Sequence, residues 1–120
     1  MTISISGLTV TQVASDPTEG GQYLRLRGAG TYTAADFTVT ASDGLGFTPT
    51  QVRVLNLTTR NESWAHADES VDASGLKDVA AGTKTDAAHG LTIGARSVTV
   101  DVSVAGPITD DDTFILEFWA

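Results

Sequence analysis

Apolar residues recur at every second position along much of the chain, between clusters of Gly, Asp, Asn and Pro, which is the pattern of short strands with one face in a core. The clearest case runs from Ser97 to Val104, where Val98, Val100, Val102 and Val104 alternate with Thr99, Asp101 and Ser103. The closing segment from Thr113 to Trp119 sets Phe114, Leu116 and Phe118 against Ile115, Glu117 and Trp119. The first set predicts core; Trp119, on the other parity, is left for a partner contact.

Earlier in the chain the same rule predicts a strand over residues 2–13, with a flip of face at Gly7, because Ile3 and Ile5 share one parity and Leu8 and Val10 the other. A turn at Ser15–Gly21, built on Pro17 and paired glycines, leads into residues 22–27, where Leu24 and Leu26 oppose Tyr23, Arg25 and Arg27. Gly28 and Gly30 are expected to break that strand. Phe37, Val39 and Ala41 then alternate with Thr38 and Thr40, and the denser run Val52, Val54, Leu55, Leu57 predicts the middle strand of the sheet. Between Arg60 and Ala95 apolar residues are sparse and predict short strands joined by long loops.

Together these signals predict an all-β fold: a single-domain antiparallel β-sandwich or small barrel of about seven or eight short strands with long loops. Residues 1–120 form one domain in this reading, with residues 1–6 as a candidate N-terminal arm whose Ile3 and Ile5 can add to a partner's sheet. A chain of 120 residues is long enough to close one two-layer core without disulfides.

Composition narrows the chemistry. With no cysteine there is no disulfide framework, no thiolate metal site and no cysteine nucleophile. Fifteen acidic against seven basic residues give a net charge of −8, which opposes a phosphate backbone and argues against direct nucleic-acid binding. The opening residues lack the basic start and apolar run of a secretory signal, and no stretch approaches the ~18 apolar residues of a membrane span. The expectation is a chain made in a cytoplasm, without membrane association.

His66 and His89 are the two histidines, and Trp64-Ala65-His66-Ala67-Asp68 would place His66 and Asp68 on one strand face. A His two residues from an Asp is a common accident of exposed strands, so no catalytic pair is assigned. Asp110, Asp111 and Asp112 are of the type that Ca²⁺ favours, but three consecutive side chains in a turn do not all aim inward, and a solvated acidic loop capping the last strand is the expectation. Gly28 to Gly30 and Gly44 to Gly46 lack the further residues of a phosphate loop, and no Gly-x-Ser-x-Gly elbow occurs. Asn56 and Asn61 match the glycosylation acceptor pattern at a frequency that chance explains in so Thr- and Ser-rich a chain. Of the aromatic residues Trp64, Phe114, Phe118 and Trp119, which could line a sugar-binding face, Phe114 and Phe118 belong to the core by parity. The sequence predicts no enzyme, no cofactor and no metal.

The stretch from Val54 to the C-terminus resembles small virion proteins of tailed bacteriophages, of the head-decoration or capsid-cement type. The resemblance is carried by Val54 to Arg60 followed by Trp64, by Leu76 to Thr85, by Gly90 to Ile93 and by the closing aromatic strand Asp112 to Trp119. It implies a non-catalytic protein on the outside of a capsid lattice, bound to the major capsid protein and commonly a trimer, that staples neighbouring subunits. Ile3, Ile5, Trp64 and Trp119 are the candidate partner-binding residues. The alternative is a carbohydrate-binding or host-adhesion module of a phage particle, with Trp64 or Trp119 at the site and the Asp110–Asp112 loop holding Ca²⁺.

Overall fold

The computed structural model describes residues 3–15, 23–67, 75–80, 83–87, 90–103 and 107–120. Among them are ten strands: β1 (Leu8–Ser15), β2 (Tyr23–Gly30), β3 (Phe37–Val39), β4 (Gln51–Asn56), β5 (Glu62–His66), β6 (Gly75–Ala80), β7 (Thr83–Ala87), β8 (Leu91–Gly94), β9 (Ser97–Val100) and β10 (Phe114–Trp119). They form two antiparallel sheets, one in the order β1-β2-β10-β4-β5-β6-β7 and the other β3-β9-β8. The all-β, sandwich-like fold is therefore the one predicted. The strand number exceeds the expected seven or eight because the apolar-poor stretch after Arg60 still pairs, β6 with β7 and β8 with β9. Backbone pairing needs no apolar residue, which is why periodicity underreports such strands.

Strand alternation assigns every side chain of the central strands to one of two faces. Leu24 and Leu26 of β2, Phe114, Leu116 and Phe118 of β10, Val52 and Val54 of β4 and Ala65 of β5 are all buried, and they share one core with Phe37, Val39, Leu91, Val98 and Val100 of the small sheet. The rings of Phe37 and Phe114 meet between the two sheets with centroids 6.2 Å apart. β4, predicted as the middle strand, is the fourth of seven.

Several boundaries differ from the sequence reading: residues 3–7 precede β1 without being strand, β3 ends at Val39 ahead of a 3-10 turn over Ala41–Asp43, and β4 ends at Asn56. β2 runs through Gly28 to Gly30 instead of ending there. Gly28 lies opposite Phe114 in register, and a Cβ there would occupy the Phe114 ring. Glycine at this position makes room for the ring and leaves the ladder intact. β9 stops at Val100 although the valine alternation continues: Val102 N donates to Asp36 Oδ1 at 2.9 Å, and Asp101 Oδ1 accepts from Ser103 N at 2.9 Å. These aspartates give the backbone a turn in place of a ladder. Val104 and the Ser15–Gly21 turn lie, wholly or in part, outside the described residues.

β1 is one edge of the large sheet and is exposed along most of its length. Its register against β2 shifts between Gln12 and Ala14, so Val13 is an inserted residue of a β-bulge and stands 51% exposed. The flip at Gly7 is a turn with φ +87°, followed by Leu8 N donating to Ile5 O at 3.0 Å.

Candidate functional site

The other face of the large sheet carries a different population. From β2 it receives Tyr23, Arg25 and Arg27; from β10 Ile115, Glu117 and Trp119; from β4 Gln51, Arg53 and Leu55; from β5 Glu62, Trp64 and His66. The small sheet packs on the opposite face, against the shared core.

Register builds the centre of this face. Glu117 lies opposite Arg25 on one side and Arg53 on the other, and Arg53 lies opposite Trp64. Arg53 Nη1 donates to Glu117 Oε1 at 2.9 Å, while its Nη2 and Nε donate to Glu62 Oε2 at 2.8 and 3.0 Å. Tyr23 Oη donates to the remaining Glu117 oxygen at 2.7 Å. Glu117 is 9% exposed, and these two donors compensate the desolvation of its carboxylate. Burial alone would lower the Arg53 pKa, but the hydrogen bonds to Glu62 and Glu117 and their charges raise it overall. Burial, followed by the hydrogen bond to Glu117, pushes the Tyr23 phenol up to about 12.

Around this ionic centre the aromatic residues form a ladder. Tyr23 and Trp119 have centroids 5.6 Å apart, Trp119 and Trp64 stack at 5.8 Å with planes 13° apart, and Trp64 stacks on His66 at 6.5 Å. The Arg53 guanidinium sits 5.4 Å from the Trp64 ring centroid. Arg25 is the exception to this pairing. It is half-buried, its Nε is shielded from solvent, and among the described residues that nitrogen has no hydrogen-bond partner.

Trp64 and Trp119, expected as partner-contact residues, are thus brought together on one half-exposed surface. Ile3 and Ile5, expected on an arm, are half-buried and pack against the protein's own core. His66 is at the exposed end of β5, stacked on Trp64, while Asp68 and His89 lie outside the described residues. Phe114 and Phe118 are fully buried, as parity required.

The acidic loop is more structured than a solvated turn. Asp110 Oδ1 accepts from Ala34 N at 2.7 Å, and Asp111 Oδ1 accepts from Tyr32 N at 2.8 Å. Asp112 is 4% exposed, and its Oδ2 accepts from Asn56 Nδ2 at 2.6 Å and from Thr109 N and Oγ1, both at 2.8 Å. Tyr32 Oη donates to the Asp112 carbonyl at 2.6 Å, and burial, with the aspartate charges nearby, pushes this phenol up to about 12. The three carboxylates point to three different partners and make no joint cation cage. Among the described residues no group of three or more His, Asp or Glu is arranged to hold a metal ion. Asn56, one of the two acceptor-pattern asparagines, is buried in this network.

No family model matches the chain, and neither a curated protein nor a solved structure matches it. The site therefore rests on its own geometry. The residues that sequence reasoning did not single out are Arg25, Arg53, Glu117 and Tyr23. Parity placed Tyr23, Arg25 and Glu117 opposite the core residues of β2 and β10; Arg53 is hidden in the dense apolar run of β4, and the strand order that makes the four neighbours is not in the pattern. Among the described residues no helix is long and apolar enough to cross a membrane.

Proposed function

We propose that this chain is a non-catalytic virion structural protein that decorates and stabilises a phage capsid, bound to the major capsid protein on the outside of the lattice as a trimer. The carrying observation is the open face of the large sheet, where Tyr23, Trp64 and Trp119 form a half-exposed aromatic ladder around the Arg53–Glu62–Glu117 ion pairs. Aromatic residues and arginine are the residue types that dominate protein–protein contact energies, because they present large area with few rotamers to freeze. The ion pairs fix the rings in place, so little ordering cost remains on binding. The resemblance of residues 54–119 to head-decoration proteins supports the capsid as the surface contacted. Trp64→Ala with Trp119→Ala should abolish binding of the purified protein to capsids of its source particle while leaving the strand content unchanged. Full binding by this variant, or no loss of heat resistance in capsids lacking the protein, would refute the reading.

A second reading, a glycan-binding or host-adhesion module, draws on the same ladder, since sugar C–H faces stack on indole rings and Gln51, Arg53 and Glu62 flank them with planar hydrogen-bonding groups. A Ca²⁺-dependent version is disfavoured by the loop geometry, because Asp110, Asp111 and Asp112 each accept hydrogen bonds from the protein itself. A glycan array read with and without chelator separates this alternative from the first.

A further inference from the structure

We infer that Arg25 is the anchor of the contact surface and that it takes a carboxylate side chain of the protein partner, with an apolar or aromatic neighbour of that carboxylate resting on the Tyr23–Trp119 rings. The inference deepens the contact-protein reading and rests on it. Arg53 has two carboxylates and a ring, whereas Arg25, directly opposite Glu117 in register, has an Nε with no acceptor among the described residues, Glu117 bonding Arg53 and Tyr23 instead. Its Nε is withdrawn from water without a partner, a situation that is costly unless an acceptor arrives. Across β2, β10, β4 and β5 the face holds three arginines, Arg25, Arg27 and Arg53, against two glutamates, Glu62 and Glu117, in a chain whose net charge is −8. It is thus locally cationic in an acidic molecule, and its complement is acidic.

A second copy of the chain fits less well. Two such faces laid together would set the same excess of arginines against itself, and the exposed acidic loop already holds its Asp110 and Asp111 carboxylates on the backbone of Ala34 and Tyr32.

The test uses the chain's own reporters, since its two tryptophans both lie on this face. The probe is a short peptide of alternating glutamate and phenylalanine, with its glutamine counterpart as control. The acidic peptide should shift tryptophan emission saturably and more weakly as salt rises, and the glutamine peptide should not. Arg25→Glu and Arg25→Gln should each weaken the response at least ~tenfold, with unchanged circular dichroism. An equal response to both peptides, an unaltered response in a folded Arg25→Gln variant, or a response confined to an acidic polysaccharide such as hyaluronan would overturn the inference. So would concentration-dependent self-association lost on Arg25→Gln, which would assign the surface to a second copy. Peptide binding that depends on Arg25, with no binding to capsids, would instead retire the capsid reading and leave the carboxylate site standing.

Discussion

The two faces of the large sheet are made by the same strands, yet they solve different problems. On the inner face, Leu24, Leu26, Val52, Val54, Phe114, Leu116 and Phe118 exclude water completely, and their contribution is the area they remove from solvent. On the outer face, alternate residues of those strands hold each other by directed contacts: Arg53 between two glutamates, Tyr23 on Glu117, and three aromatic side chains in a ladder. Alternation therefore separates holding the fold from presenting a surface, and a change on one side should spare the other.

That separation is breakable by experiment. Phe114→Ala removes a ring that fills the space above Gly28 and reaches Phe37, and should cost about 3–5 kcal/mol in chemical denaturation, the largest effect of the set. Asp112→Ala leaves the buried Asn56 amide with only the longer bond to the Pro107 carbonyl and the Thr109 N–H without its acceptor, and should cost about 2–3 kcal/mol, read by the same measurement. A core that tolerated Phe114→Ala better than the loop tolerates Asp112→Ala would reverse the ranking of the two devices. On the outer face, Arg53→Ala exposes Glu117 to its own desolvation with only Tyr23 to answer it, and should cost about 1–2 kcal/mol while lowering partner affinity more than stability.

The smallest effect is invisible near neutrality. Tyr23 and Tyr32 both titrate near 12 in the fold against an ordinary 10, so folding favours their neutral forms. Their contribution is complete below pH 10 and is lost as pH rises from 10 through about 12. Thermal melts across that interval should show a steep fall for the natural chain and a shallower one for the Tyr23→Phe, Tyr32→Phe double variant.

Most of the inner face was legible from sequence, because a buried face must be apolar and a strand repeats every second residue. The alternations of β2 and β10 name their core residues directly, whereas the dense run of β4 does not separate its faces: Val52 and Val54 are core, Leu55 lies on the outer face and Leu57, past the strand end, is exposed. Legibility failed where polar side chains redirect the backbone. The valines continue past Val100, but Asp36 and Asp101 capture the following N–H groups, and no periodicity records that competition. Asp112 read as solvated because charge predicts exposure, whereas Asn56, distant by 56 residues, provides the donor that makes its burial tolerable. The outer face was half legible. Tyr23, Arg25, Glu117 and Trp119 share the correct parity, but β2, β10 and β4 are adjacent only through non-sequential pairing, which a single sequence does not display.

The bulge at Val13 has a consequence for how many copies can share a small volume. An uninterrupted outer strand would offer a straight row of amides and carbonyls onto which another molecule could zip, and growth would continue from there. One inserted residue throws that row out of phase after Gln12, so a second molecule gains only a few bonds before meeting a mismatch and a protruding side chain. At this border of the sheet, crowding need not lead to coalescence.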